Sequence, residues 1–200
     1  NLGGAIRAGQ NATAFYCGGC IFENNQVHPL AIEDGADSRE LMGSISLYDG
    51  ALASIDLSHF SGNQMAAIQA KNALIYLRNS TVASSVAIGR LGGMGMLLQD
   101  GSQAIGERVR FINQPLTGIS IFSSRLSLRR SIVQGNTIGM SVRRMEAGRE
   151  YFRCIEDTIF RDNQTNLDAD RLPVPPPTIP GRPVPAPPAR CPNWTFPTSI

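Results

Sequence analysis

Few residues of this 200-residue chain have the types and spacing of a reaction centre. The densest group of carboxylates is the run from Glu33 to Asp37, which is followed by Arg39 and Glu40. Loop carboxylates are ligands that Ca²⁺ prefers, but this run lacks the regular spacing of a calcium-binding loop. We interpret it as a solvated loop, so Ca²⁺ is the one cofactor candidate and the sequence otherwise predicts none. Further along the chain, Asp49, Asp56 and Asp100 are scattered and form no recognisable constellation.

Two pairs of adjacent arginines have the chemistry to bind a negatively charged ligand. Arg129 and Arg130, together with Arg143 and Arg144, would form a basic stripe for an acidic polysaccharide if they shared one face. The alternative is a solvated face in which glutamates between residues 146 and 156 neutralise the arginines. The net charge of the whole chain is only +2, so the sequence predicts no strong attraction for nucleic acid.

The four cysteines fall into two groups. Cys17-Gly-Gly-Cys20 has the spacing of a redox or zinc half-site, but a second such pair is missing, and a local disulfide or pairing between repeats is the alternative. Cys154 and Cys191 are the natural second pair. A disulfide between them would make the intervening segment a strap and would place Trp194 against the rest of the fold. Four cysteines allow three pairings in all.

Four sequons of the form N-x-[ST] point to a secretory route. Their asparagines are Asn11, Asn79, Asn163 and Asn193. Asn163 also occupies a turn position of the repeat described next, so a glycan and the local structure compete for its side chain. Together with the cysteines, the sequons predict a secreted or cell-surface glycoprotein.

The elements that position these side chains are repeats marked by the pattern Phe-x-x-Asn. The pattern is present at Phe22–Asn25, Phe60–Asn63 and Phe160–Asn163, with Val133–Asn136 as a variant, Phe111–Gln114 as a near match with its amide at Asn113, and residues 82–85 as a weak copy. A basal period of about 22 residues is typical of a solenoid, because one turn of chain cannot bury its own apolar face.

Short alternating runs such as Ile45-Ser46-Leu47 follow the turns and predict strands, whereas no stretch shows a helical stripe. We expect the apolar residue that begins each turn to point inward, in register with its counterparts. These residues are Phe22, Phe60, Phe111, Val133 and Phe160. We expect the turn amides to stack as a ladder. The amides are Asn25, Asn63, Asn113, Asn136 and Asn163.

The first repeat carries a second motif that suggests a family. Gly3-Gly4-Ala5-Ile6 followed by Phe22-Glu23-Asn24-Asn25 resembles the GGA-I and F-x-x-N motifs of the polymorphic outer-membrane protein repeat. That repeat belongs to the pectin-lyase-like right-handed parallel β-helices, and the resemblance covers roughly residues 1–166. It implies secreted or surface-displayed adhesive and structural proteins, in a superfamily that also holds polysaccharide lyases and hydrolases. The Asn-Thr-Asp, Gly-His-Gly and Arg-Ile-Lys motifs expected of a galacturonan hydrolase in that superfamily are missing from the sequence.

The composition changes after about residue 170. Residues 172–189 contain nine prolines, which lack a backbone donor and fix φ, so the segment is predicted to be polyproline II. The sequence therefore predicts an all-β fold in two parts. Residues 1–166 form a right-handed parallel β-helix of about six coils, and residues 167–200 form a Pro-rich tail with a Cys- and Trp-containing C-terminus.

These observations predict a non-enzymatic extracellular structural or adhesive glycoprotein segment, joined through its Pro-rich arm to a larger surface or fibrous assembly. One alternative is a lyase- or hydrolase-type β-helix that acts on or binds acidic polysaccharide, and another is the passenger domain of a bacterial surface adhesin. The expected partners are other copies of the chain, further solenoid upstream of Asn1, or a polysaccharide. No apolar stretch approaches the roughly 18 residues that a membrane span requires.

Overall fold

A computed structural model of the chain describes residues 4–9, 14–26, 43–89, 91–143 and 151–170. Within these ranges the structure contains strands and turns and no helix. In the described part of the chain, three sheets are built entirely from parallel strands, and only one short hairpin is antiparallel. This arrangement confirms the predicted all-β class and is that of a β-solenoid.

Among the described residues, sheet 1 is the largest sheet and has seven strands. In spatial order they are β1 (Ile6–Ala8), β4 (Gly43–Tyr48), β7 (Ala66–Lys71), β12 (Met94–Gln99), β15 (Thr117–Phe122), β18 (Ile138–Arg143) and β21 (Thr165–Ala169). The last of these strands continues beyond the domain boundary that the sequence placed at residue 166.

Sheets 2 and 3 have six strands each. Sheet 2 contains β2 (Ala14–Gly18), β5 (Leu52–Asp56), β8 (Leu74–Arg78), β13 (Gln103–Glu107), β16 (Arg125–Arg129) and β19 (Phe152–Glu156). Sheet 3 contains β3 (Ile21–Glu23), β6 (His59–Ser61), β9 (Thr81–Ala83), β14 (Arg110–Ile112), β17 (Ile132–Gln134) and β20 (Ile159–Arg161). The hairpin consists of β10 (Ala87–Ile88) and β11 (Leu91–Gly92) and lies between β9 and β12 along the chain.

The chain visits the three sheets in a fixed order, so that one strand of sheet 1 is followed by one of sheet 2 and one of sheet 3. We call such a set of three strands a repeat. Each strand pairs in parallel with its counterparts in the neighbouring repeats, for example β5 with β2 and β8. Residues that are far apart in sequence therefore form straight rows across each sheet.

One hydrophobic core receives side chains from all three sheets. Ile45 of sheet 1, Ile55 of sheet 2 and Phe60 of sheet 3 belong to the same buried cluster. The alternation predicted from the sequence explains this, because every second residue of a strand points to the same face. A smaller cluster, formed by Ala66, Met94 and Leu97, is separate from this core.

The apolar residues that begin the turns form one row across sheet 3, in the predicted register. Phe22 pairs with Phe60, and the row continues through Val82, Phe111 and Val133 to Phe160. All of these side chains are buried except that of Phe160, which is half-buried in the last repeat. The rings of Phe22 and Phe60 stack with their centroids 4.7 Å apart.

Candidate functional site

A row of ionisable side chains lies at the carboxyl ends of the sheet 2 strands. The final residues of β5, β8, β13, β16 and β19 pair in one row across the sheet. We call this row the charge ladder; it consists of Asp56, Arg78, Glu107, Arg129 and Glu156. Because the sign of the charge alternates from each repeat to the next, every ladder residue has neighbours of opposite charge.

The charge ladder contains direct ion pairs between repeats. Arg78 donates hydrogen bonds to the Asp56 carboxylate through Nε and Nη2. Arg129 Nη2 donates to Glu107 Oε1 at 2.8 Å, and Arg130 Nη1 lies 3.7 Å from the same oxygen. The Glu107 and Arg129 side chains are only 7% and 13% exposed, so this central pair is largely removed from water.

Two members of the charge ladder have shifted pKa values. Burial raises the pKa of Asp56, but hydrogen bonds from Arg78 and Asn79, the charge of Arg78 and the Leu57 backbone N–H together lower it, and the net pKa lies below its ordinary value. The hydrogen bond to Asp56 raises the pKa of Arg78. This carboxylate is therefore held ionised, unlike a catalytic acid, whose pKa is raised towards the working pH.

The arginines of the predicted basic stripe lie in two different places. Arg129 and Arg130 are at the end of β16 in sheet 2, where both approach Glu107. Arg143 is at the end of β18 in sheet 1, where it pairs with Asp168 and lies 3.4 Å from Asp170. The remaining member, Arg144, lies outside the described residues. Arg129, Arg130 and Arg143 thus each have carboxylates from a neighbouring repeat as partners.

A second ladder, made of side-chain amides, follows the sheet 3 strands. In each link an amide oxygen accepts the backbone N–H of the equivalent residue in the preceding repeat. Asn63 Oδ1 accepts from Asn25 N at 3.1 Å, and Asn163 Oδ1 accepts from Asn136 N at 2.9 Å. Each of these amides also donates to a backbone carbonyl oxygen in the preceding repeat, that of the inward-pointing residue that begins the turn. Asn63 Nδ2, for example, lies 2.8 Å from the Phe22 carbonyl oxygen. The amide ladder satisfies backbone groups that the turns would otherwise leave buried and unpaired.

The fourth repeat differs from the prediction by one residue. Gln114, not Asn113, occupies the ladder position: its Oε1 accepts from Ser85 N and its N donates to Asn136 Oδ1, both at 2.9 Å. Asn113 instead adopts the left-handed conformation, with φ of 55°. In every repeat of the ladder, the amide residue is the third after the inward-pointing residue that begins the turn. Counted from Phe111, that residue is Gln114. The assignment of Asn113 to the ladder is thus corrected.

A third set of contacts, made by hydroxyl groups, lies at the corner between sheets 2 and 3. Ser58 Oγ accepts from Cys20 N at 3.1 Å, and Ser80 Oγ accepts from Ser58 N at 3.0 Å. The same geometry recurs where Ser131 Oγ accepts from Val109 N at 3.2 Å. These serines are buried and have no counterpart in the sequence-based prediction.

The Cys17-Gly-Gly-Cys20 motif lies at the first such corner. Its two cysteines form a disulfide, with their Cα atoms 6.1 Å apart. The motif is therefore a local disulfide rather than a zinc half-site. Cys154 is also disulfide-bonded, but Cys191 lies outside the described residues, and the predicted Cys154–Cys191 pairing stays a prediction.

The two sequon asparagines that the structure describes are engaged in hydrogen bonds. Asn79 Nδ2 donates to Asp56 Oδ1 at 2.9 Å, while its Oδ1 accepts from Arg108 Nε at 2.8 Å. Asn163 is part of the amide ladder, and its Nδ2 donates to the Val133 carbonyl oxygen at 2.9 Å. A glycan on either nitrogen would have to replace these bonds. Asn11 and Asn193 lie outside the described residues.

The carboxylate run between Glu33 and Asp37, the only Ca²⁺ candidate, also lies outside the described residues. Among the residues that are described, no three His, Cys, Asp or Glu side chains are grouped closely enough to hold a metal ion. In the same part of the chain, no helix has the length and apolar character needed to cross a membrane.

The sequence-based prediction missed the charge ladder although its members keep the period of the fold. Asp56 and Arg78 are 22 residues apart, and so are Glu107 and Arg129. This spacing equals the basal period of the Phe-x-x-Asn pattern, and it is the signal by which the ladder can be found. Asp56, which seemed isolated in the sequence, is the first member of the row.

Comparison with known proteins gave no match: no family model, no curated protein and no solved structure is significantly similar to the chain.

Proposed function

We propose that the chain is a non-enzymatic structural or adhesive segment of an extracellular glycoprotein. The observation that supports this function is the use of polar side chains between repeats. The amides, hydroxyls, carboxylates and arginines at the described strand ends bind their equivalents in neighbouring repeats. A catalytic groove requires acids, bases or cations that face a substrate, whereas these ladders direct the same groups along the stack.

We further propose that the three sheets close into a right-handed parallel β-helix of about six coils, similar to the pectin-lyase-like proteins. The sheets of six and seven parallel strands and the fixed order in which the chain visits them support this architecture. Right-handedness agrees with the strong preference of parallel crossover connections. The Pro-rich tail that follows β21 would be the arm through which the helix joins a larger assembly. Its partners would be other copies of the chain or a polysaccharide.

The direct test is the location and mass of the native protein in its source cells. The chain is expected in extracellular material, with mass that N-glycan-removing enzymes reduce. An unglycosylated surface protein would instead favour the bacterial adhesin passenger domain, and recovery only from the reducing interior of the cell would refute the proposal.

The lyase or hydrolase alternative is tested with the purified chain and acidic polysaccharides such as polygalacturonate and alginate. No shortening of the polymer is expected, as measured by viscosity and by released reducing ends. If depolymerisation occurs, the Arg130→Gln variant tests whether the exposed arginine beside the charge ladder contributes to it, with Lys71→Gln as the matched control. Depolymerisation by the wild-type chain would overturn the non-enzymatic assignment.

A further inference from the structure

A second row of side chains lies directly beyond the charge ladder, at the corner where the chain turns from sheet 2 into sheet 3. Each residue of this corner row follows a ladder residue and adopts the left-handed conformation, with φ between 48° and 54°. The backbone N–H groups of the first four members donate to ladder carbonyl oxygens in the next repeat, as Arg108 N does to the Arg129 oxygen at 3.0 Å. The corner row therefore continues the stacking of the strands. Its members are Leu57, Asn79, Arg108, Arg130 and Asp157.

Two cations are neighbours in the corner row. Arg108 and Arg130 belong to consecutive repeats, because β13 and β16 pair in register, so their backbones lie one strand spacing apart, about 4.8 Å. Both side chains are exposed, that of Arg130 by 56%. Arg108 Nε donates to Asn79 Oδ1 at 2.8 Å. Arg130 Nη1 lies 3.7 Å from Glu107 Oε1. Each guanidinium thus reaches towards the preceding repeat, so the two lie side by side.

This pair of like charges contrasts with the charge ladder, in which the sign alternates. Like charges opposite each other across a sheet are destabilising. Within the described part of the chain, the side chain of Arg108 has only the neutral amide of Asn79 as a hydrogen-bond partner. Glu107, which Arg130 approaches, is already bound to Arg129 at 2.8 Å. The ends of β13 and β16 and the corner residues after them thus carry three arginines and one carboxylate, which leaves a surplus of positive charge.

The backbone conformation of the corner row does not favour arginine either. The left-handed conformation brings Cβ close to the following carbonyl oxygen, and glycine, asparagine and aspartate tolerate it best. Asn79 and Asp157 are residues of this kind, whereas Leu57 shares the unfavourable conformation but carries no charge. Conformation and charge both indicate that Arg108 and Arg130 occupy the corner at a cost to stability. Such costs are typical of residues that bind a ligand.

The chemistry of the pair selects an oxyanion as the ligand. Each guanidinium is a planar, permanently charged fork of donors. A carboxylate has two acceptor oxygens in one plane, which a single fork matches. A tetrahedral oxyanion that is carried as an ester has three terminal oxygens, so it can accept from two guanidiniums one strand spacing apart. The pair of arginines therefore fits a tetrahedral oxyanion better than a carboxylate.

We propose that Arg108 and Arg130 bind a sulfate ester group of an extracellular polysaccharide. The polysaccharide as carrier rests on the function proposed above, whereas the oxyanion site rests on the corner row alone. Glu156 and Asp157, in the next repeat, would repel a continuous polyanion such as a nucleic acid, but they can accept hydrogen bonds from sugar hydroxyls between spaced esters. The site differs from the basic stripe expected from the sequence, since it joins Arg130 to Arg108 rather than to Arg143.

Binding of the purified full-length chain to dextran sulfate, measured by isothermal titration calorimetry, tests the site. Dextran sulfate is expected to bind, and uncharged dextran is not. Arg108→Asn and Arg130→Asn should each weaken binding about ten-fold, since each removes a charge-assisted hydrogen bond. Neither change should lower the melting temperature, because asparagine suits the left-handed conformation and the repulsion between like charges is relieved.

Arg125→Asn is the matched control for these variants. It removes the same charge from an exposed position at the other end of β16, about 16 Å from Arg130 along the strand. It should weaken binding by no more than about two-fold, because charges at that distance are largely screened by salt. Equal effects of Arg125→Asn and Arg108→Asn, or no binding of dextran sulfate by the wild type, would overturn the site. Weaker binding that accompanies a lower melting temperature in both corner variants would also overturn it, since the arginines would then be structural.

Other polymers separate the possible ligands. At equal charge, polygalacturonate and dextran phosphate should bind more weakly than dextran sulfate. Tighter binding of polygalacturonate would contradict the tetrahedral oxyanion, and tighter binding of dextran phosphate or of duplex DNA would overturn the sulfate ester as the ligand. All of these measurements use the purified chain, so their failure leaves the extracellular structural role standing. That role is tested separately by the location and glycan mass of the native protein.

Discussion

Removing the charge of Glu107 should expose how much the charge ladder contributes to stability. Glu107→Gln keeps the size of the side chain but leaves Arg129 without its 2.8 Å carboxylate partner. Arg130, 3.7 Å from the same oxygen, loses a weaker interaction. Glu107 lies in the middle of sheet 2, so local unfolding at the ends of the stack does not contribute to the measured change in stability.

The structure sets the size of the expected loss. At 2.8 Å and an effective dielectric constant of about 20, the gross attraction between Arg129 and Glu107 is about 6 kcal/mol, much of it offset by the cost of removing both charges from water. Breaking a buried pair by removing one partner costs about 3–5 kcal/mol, because the other charge stays buried. Arg129 still pairs in register with Glu156, so we expect the lower end, about 3 kcal/mol.

The assay is urea denaturation of each variant followed by far-ultraviolet circular dichroism. Asp100→Asn is the matched control, since it breaks the Lys71–Asp100 pair, whose atoms are 4.0 Å apart and whose side chains are 35% and 44% exposed. Its free energy of unfolding should change by no more than about 0.5 kcal/mol. Replacing both partners, as Glu107→Leu with Arg129→Leu, should recover most of the loss, because apolar pairs substitute well for buried ion pairs. Equal losses in Glu107→Gln and Asp100→Asn would refute the reasoning.

Three further changes test other parts of the structure. Phe60→Ala should lower the free energy of unfolding by about 3–5 kcal/mol, because it leaves a cavity in the core. The lost stacking on Phe22 should cost about 0.5–1.5 kcal/mol more. A urea midpoint close to that of the wild type would contradict the burial of Phe60. Asn136→Ala should leave the Gln114 backbone N–H buried without a partner at a cost of about 1–3 kcal/mol, and hydrogen exchange at that amide should become faster than in the wild type. Asp56 has a lowered folded-state pKa, so its contribution to stability is present above its ordinary pKa of about 3.9 and is lost as pH falls through the folded value. Asp56→Asn should therefore flatten the acid limb of a stability–pH curve, and an unchanged slope would argue against the ion pair.

The sequence predicted the parts of the fold in which similar residues recur in each repeat. An apolar residue that begins every turn is visible as a pattern, and its register and burial follow from stacking. The charge ladder was hidden because its members are complementary rather than similar. Asp56, Arg78 and Glu107 occupy equivalent positions with alternating charges, so a search for recurring residue types does not align them.

The misplacement of Asn113 has a different physical cause. Asparagine suits both adjacent positions of the turn, since it tolerates the left-handed conformation and its amide bonds neighbouring backbone. Only the number of residues after the inward Phe111 distinguishes the two positions, and the second one holds Gln114 where the other repeats named in the ladder have asparagine. The half-buried position of Phe160 could not be predicted, because it depends on sheet 3 ending at β20 among the described residues.

The alternation of sign along the charge ladder gives the stack of repeats a parity. Deleting the repeat that contains Arg78 would bring Asp56 into register with Glu107, and two carboxylates directly opposite each other are destabilising. Deleting two adjacent repeats would instead place Asp56 opposite Arg129 and restore the alternation. The length of this protein should therefore be able to change more readily by even numbers of repeats than by odd ones, in natural variants and in engineered ones.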